Sequence, residues 1–216
     1  MDVFEEIADE RRGLADLLSG LTVEQRATPS LCSGWTVQDV LGHLIVPLVV
    51  SLPKFVLAMV LSGGSFDRAN DRLARQQAKR PFEEIVEILH RKADKRFTPP
   101  GAGPEAPLTD VLVHGLDIRW PLGLTRQIPA ERLHVSLAFL TTPSASGLIA
   151  GKTLDGLRFE ATDVDWVHGS GPRVLGSAEA LLLAITGRTS ALSHLQGDGV
   201  ATLRDRLSPP GDRRRP

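Results

Sequence analysis

The 216-residue chain has a single cysteine, Cys32, so an internal disulfide is excluded. That usage fits a reducing compartment, and the cytoplasm is the expected location. Excess charge of one sign is also lacking: 25 Lys and Arg stand against 26 Asp and Glu, a formal net charge of −1. A nucleic-acid binder would show a basic stripe, so nucleic acid is not an expected partner. The N-terminus, Met1-Asp2-Val3-Phe4-Glu5-Glu6, is acidic and amphipathic, unlike the basic start and apolar core of a signal peptide. Long uninterrupted apolar runs are missing too. Leu41 to Leu61 comes nearest, but His43, Pro47, Pro53 and Lys54 interrupt it. A spanning helix wants about 20 residues with few or no charges. The stretch therefore reads as buried core helix, with no membrane span, and no internal repeat occurs.

What is present is an ordinary globular composition, 42% hydrophobic and 24% charged, enough for one large domain or two small ones. Val3 to Ser19 has helical spacing, with Val3, Ile7, Leu14, Leu17 and Leu18 against a charged face, and Gly20 is its stop. Thr36-Val37-Gln38-Asp39 is a capping signal that opens a helix carrying His43 about two turns in. Ser62-Gly63-Gly64-Ser65 breaks the pattern, and Phe66 to Gln77 reads as a polar helix. Further helices are expected from Pro81 to about Phe97, from Thr109 to Trp120, and from Ile128 towards Pro143. After Ser146 the character changes. Leu157 to Ala161 alternates with period two and reads as a strand, with Val164 to Val167 and Arg173 to Leu175 as candidate partners. Ser177 can cap an apolar helix closed by Gly187. The expected architecture is α with a smaller α+β part: a helical part of roughly four long helices over 1–146, a small α+β domain over 147–208, and a disordered tail over 209–216.

Polar residues on apolar helices single out the candidate chemistry. In Leu108-Thr109-Asp110-Val111-Leu112-Val113-His114-Gly115-Leu116-Asp117-Ile118, three polar groups spaced by four and three share one helix stripe. Charged groups among apolar neighbours are costly unless paired or bound to a metal. His43 is a similar intrusion in Val40-Leu41-Gly42-His43-Leu44-Ile45-Val46. Helix bundles build metal sites from side chains on facing helices. Two histidines and one carboxylate would leave coordination positions open, as catalytic zinc sites do, and the same set suits non-haem iron. On spacing alone the bland reading is stronger. Asp-x-x-x-His recurs by chance, and a histidine on an apolar helix is usually a core residue satisfied by a carbonyl. His90, His134, His168 and His194 sit in surface, strand or turn contexts and are left out.

The motifs carry more than spacing. Gly34-Trp35-Thr36-Val37-Gln38-Asp39-Val40-Leu41-Gly42-His43-Leu44 resembles a segment of the mycothiol-dependent maleylpyruvate isomerase family, within the DinB-like superfamily of metal-binding four-helix bundles. Asp110-Val111-Leu112-Val113-His114-Gly115-Leu116-Asp117-Ile118 resembles that family's second segment. Leu181 to Arg188, followed by Gly197-Asp198-Gly199, is similar to its smaller C-terminal domain. The resemblance implies a DinB-like four-helix bundle followed by a small α+β domain. It implies a divalent metal, zinc first, bound by His43, Asp110 and His114, with mycothiol or a similar low-molecular-weight thiol as cosubstrate. The family position of Asp110 is commonly glutamate, one methylene longer. Asp117 matches a family aspartate near the site, and Arg188 matches a Gly-Arg suited to a substrate carboxylate, both assigned as catalytic. Each also has a plainer reading: Asp117 as a helix salt-bridge partner, and Arg188 as a charge facing a helix dipole. The implied activity is addition or transfer of a metal-activated thiolate to a small electrophilic substrate, as transferase or isomerase. The alternatives are a non-catalytic metal- or ligand-binding protein, or a purely structural bundle. The oligomeric state is open.

Overall fold

The computed structural model describes residues 2–150 and 152–208; the tail read as disordered from the sequence lies outside the described residues. The chain forms two compact units by its contacts. The first comprises residues 1–98 and 110–125, the second 99–109 and 126–216. The first is helical: α1 (Val3–Leu18), α2 (Val23–Arg26), α3 (Val37–Val49), α4 (Leu52–Leu61), α5 (Phe66–Gln77), α6 (Phe82–Arg91) and most of α7 (Glu105–Arg119). The second holds α8 (Ala130–Leu140), β1 (Arg158–Ala161), β2 (Val167–Gly169), β3 (Arg173–Gly176), α9 (Ala178–Ile185) and α10 (Val200–Leu207). A mostly helical chain with a small C-terminal sheet is thus what the structure shows.

Local signals start the helices where expected. Asp2 caps α1 by accepting from the Phe4 amide at 2.9 Å. Thr36 and Asp39 form a reciprocal capping box at the start of α3, each side chain satisfying a backbone N–H of the other residue. Leu14 and Leu18 of α1, Leu41, Ile45 and Leu48 of α3, Ile85 and Leu89 of α6, and Leu112 and Leu116 of α7 are all fully buried. Their burial is the main stabilising term, each large side chain contributing roughly 1.5–3 kcal/mol relative to exposure. Gly42 sets the closeness of α3 to α5. A Cβ there would lie 2.7 Å from the Ala74 carbonyl and 2.8 Å from the Ala78 nitrogen, both backbone atoms that cannot swing aside.

The long apolar stretch departs from expectation. Leu41 to Leu61 is not one buried helix: Val50 and Ser51 are extended, and Pro53 stands in the first turn of α4. Proline fits there because the first-turn N–H has no intrahelical partner. α4 rests on its neighbours through Ala58, Phe55 and Met59, in a cluster with Val46, Ala69 and Leu73. Its other face is open, with Leu52 at 74% and Val60 at 69% exposure. No described helix is long and apolar enough to cross a membrane.

In the second unit the strand order is β2-β1-β3, with β1 antiparallel to β2 and parallel to β3. α9, capped by Ser177 and buried from Ala180 through Ile185, packs against this sheet and α8. The Gly197-Asp198-Gly199 motif has a structural explanation. Asp198 accepts from the Arg173 amide at 2.6 Å, and Gly197 has φ +107 with its Cα close against the Arg173 carbonyl. Only a residue without a side chain allows that approach, so the motif pins a turn to β3.

Candidate metal centre

Two helices deliver the three candidate ligands, all of which lie within the first unit. α3 supplies His43 about two turns from its cap, and α7 supplies Asp110 and His114 one turn apart. His43 Nε2 lies 3.3 Å from Asp110 Oδ1, and His114 Nε2 lies 3.6 Å from the same oxygen. One ligand atom from each residue falls within 4.8 Å of the others. Ligands about 2.0–2.1 Å from a tetrahedral metal are separated by roughly 3.4 Å, so the two Nε2 to Oδ1 distances match adjacent corners of such a site. The two imidazole rings meet edge to face, 4.5 Å between centroids.

The far nitrogens are also occupied. Asp117, with no exposed surface, faces His114 Nδ1 at 2.9 Å. Asn70 of α5 places Oδ1 3.2 Å from His43 Nδ1. An acceptor on each Nδ1 puts the ring proton there and leaves each Nε2 lone pair aimed at Asp110. Metal-ligating histidines commonly have this arrangement, since the outer acceptor fixes tautomer and ring direction together. The donor set of two imidazole nitrogens and one carboxylate therefore fits a divalent transition metal.

The electrostatics point the same way. Burial alone would raise the Asp110 pKa. The neighbouring His43, then His114 and Arg11, outweigh it and bring it down to about 2. Burial would lower the His43 pKa, but the Asp110 carboxylate and the Asn70 contact outweigh that and leave it above its ordinary value. Arg11 is itself buried and donates to the carbonyls of Ala93 and Lys95, both at 2.9 Å. Asp110 is thus a carboxylate at any working pH. Asp110 keeps 31% of its side-chain surface exposed, so the cluster is reachable from outside.

The structure brings together His43, Asp110, His114 and Asp117. Asp117 lies behind His114, with its Oδ2 2.9 Å from the ring nitrogen Nδ1. Arg188 belongs to the second unit and donates to the Thr186 carbonyl at 2.8 Å, beside the C-terminal end of α9. Sequence reasoning missed Asn70. Its signal was faint: an uncharged polar residue next to the buried stripe Ala69, Leu73, Ala74 and Gln77 on an otherwise charged helix. It missed the contacts of Trp35 as well, although the residue stands in the first motif. That indole lies 5.4 Å from the His43 ring and 6.1 Å from the His114 ring, between centroids.

Comparison with known proteins identifies what the chain is similar to. Residues 7–96 match the family model described as the mycothiol maleylpyruvate isomerase N-terminal domain. Two solved structures are similar over nearly the whole chain: mycothiol-dependent maleylpyruvate isomerase, and a histidine-to-alanine mutant of that enzyme. Each is 16% identical, with 92% of this chain and 96% of the other covered, at a TM-score of 0.53. At that identity the likeness establishes the fold alone. No curated protein matches the chain.

Proposed function

We propose, for a chain whose residues 7–96 match the family model of the mycothiol maleylpyruvate isomerase N-terminal domain, that it is a thiol-dependent enzyme built on a divalent metal site. Its cosubstrate is mycothiol or a similar low-molecular-weight thiol, and its substrate a small electrophile. The reaction class is thiolate addition or transfer, of which isomerisation by reversible addition is one case. The observation that carries the proposal is the convergence of two Nε2 atoms and one carboxylate oxygen, with both outer nitrogens anchored.

His43, Asp110 and His114 would hold the ion, zinc being the first candidate. Bound there, a divalent cation supplies the Lewis acidity that keeps a thiol as thiolate at neutral pH, and thiolate is the nucleophile. The residues themselves do the arranging. Asp117 and Asn70 hold the two rings so that little reorganisation accompanies binding. Asp110 brings one negative charge, so a divalent ion at the site keeps net positive charge with which to attract an anionic thiolate. The partial exposure of Asp110 supports an open coordination position, the mark of catalytic as opposed to structural sites.

Cobalt substitution tests this directly, because sulfur-to-cobalt charge transfer absorbs in the near ultraviolet. Mycothiol added to the cobalt form should produce a new band and release close to one proton. His114→Ala should show neither. An unchanged spectrum at millimolar mycothiol, with cobalt shown to be bound, would favour a metal-binding protein without thiol chemistry.

A further inference from the structure

The family motif contains a tryptophan whose surroundings give it a task. Trp35 is half-buried in the loop just before α3, and its indole faces both candidate ligand rings, inclined 41° to His43 and 30° to His114. It is held at both ends by α5. The indole Nε1–H donates to Asp71 Oδ1 at 2.7 Å. Arg75 donates through Nε to both Asp71 oxygens, at 2.9 and 3.2 Å, and through Nη2 to the Gly34 carbonyl at 3.0 Å. Gly34 has φ +78, a conformation that turns the chain so that its carbonyl meets Arg75 while the next side chain points inward. Asn70 and Asp71 are consecutive on α5. One supports His43 from behind, and the other fixes the indole beside it.

We propose that Trp35, clamped by Asp71 and Arg75, is a positioning residue for the metal centre. The hydrogen bonds that the ring Nδ1–H groups donate to Asn70 and Asp117 fix one end of each imidazole and leave a swing about that bond. The indole fills the volume into which both rings would swing and keeps water off that side. Its effect is on the geometry of the ligand atoms, so it governs metal affinity and not the substrate chemistry. The proposal rests on His43 and His114 being metal ligands, and its test separates the two.

Metal affinity is measured by chelator competition with zinc, and cobalt quenching of tryptophan fluorescence is read in parallel. Trp35→Ala should weaken zinc binding by roughly tenfold or more, the range for partners that orient ligands. Trp35→Phe and Asp71→Ala should each weaken it severalfold while thermal unfolding stays near that of the parent, since Asp71 lies on the surface. Their combination should be no weaker than the worse single variant, because both break one indole-to-carboxylate bond. Asp71→Asn keeps an acceptor oxygen for the indole and should bind within about threefold of the parent. Cobalt should quench the parent and leave Trp35→Phe largely unquenched. Zinc binding by the parent together with unchanged affinity in Trp35→Ala, Trp35→Phe and Asp71→Ala overturns the clamp alone. No zinc binding by the parent overturns the metal centre and the clamp together.

Discussion

Asp117 is the residue whose replacement tests the outer support most cleanly. It is fully buried, and its Oδ2 lies 2.9 Å from His114 Nδ1. A carboxylate in that position holds the Nδ1–H tautomer, orients the ring and makes the opposite nitrogen a better donor. Asp117→Asn conserves shape and can still turn an amide oxygen towards the ring, but it removes the charge. Loss of an outer partner costs 10- to 100-fold in metal affinity, about 1.4–2.7 kcal/mol. Because Asn keeps a neutral acceptor, the lower end is expected, with Asp117→Ala near the upper end. Zinc affinity by chelator competition at pH 7.5 reads this, with circular dichroism confirming the fold. An Asn variant that binds zinc within twofold of the parent would refute the reasoning that His114 is set by Asp117.

Other substitutions probe the remaining parts. Asp110→Asn removes the charged ligand and should lower zinc affinity more than Asp117→Asn does, whereas Asp110→Glu should retain binding; isothermal titration separates them. Gly42→Ala forces backbone against backbone between α3 and α5, so a loss of about 1–3 kcal/mol of stability is expected in denaturant melts. It should also weaken metal binding, since the His43 to Asn70 contact depends on that spacing. The pH response of the metal-free protein has two limbs. His43 has a raised pKa, so its contribution is complete below the unfolded value of about 6.5 and fades as pH rises through the folded one. Asp110 is lowered to about 2, so its contribution is complete above about 3.9 and is lost as pH falls towards 2. Melting temperatures of chelator-treated protein should show this pair stabilising most between about pH 4 and 6.5. Zinc competes with the His43 proton, so zinc affinity should climb with pH until the raised His43 value is passed; a flat profile would exclude His43 as a ligand.

Much of this was legible in the sequence because local rules and buried chemistry coincide. Thr36 with Asp39, and Ser177 before its apolar run, marked helix starts through side chains that satisfy amides within three residues. Asp110, His114 and Asp117 were visible because helix periodicity stacks them on one stripe and because the segment around them resembles a known family's motif. The alternation of residues 157–161 marked the strand. What could not be seen depends on contacts remote in sequence. Asn70 meets His43 across 27 positions, and Asp71 meets Trp35 across 36. Nothing in the charged run from Phe66 to Gln77 says which face meets α3. The exposure of α4 was hidden for the opposite reason. Its composition is that of a core helix, and only the break at Val50–Ser51 turns its Leu52 and Val60 outward.

The central claim is that His43, Asp110 and His114 hold one divalent ion. It is tested most directly by elemental analysis of protein purified without chelator or affinity-tag metal, in the parent, His43→Ala and His114→Ala. One divalent ion per chain is expected in the parent and close to none in either variant, with helical circular dichroism retained in all three. Parent-like metal content in both variants would contradict it.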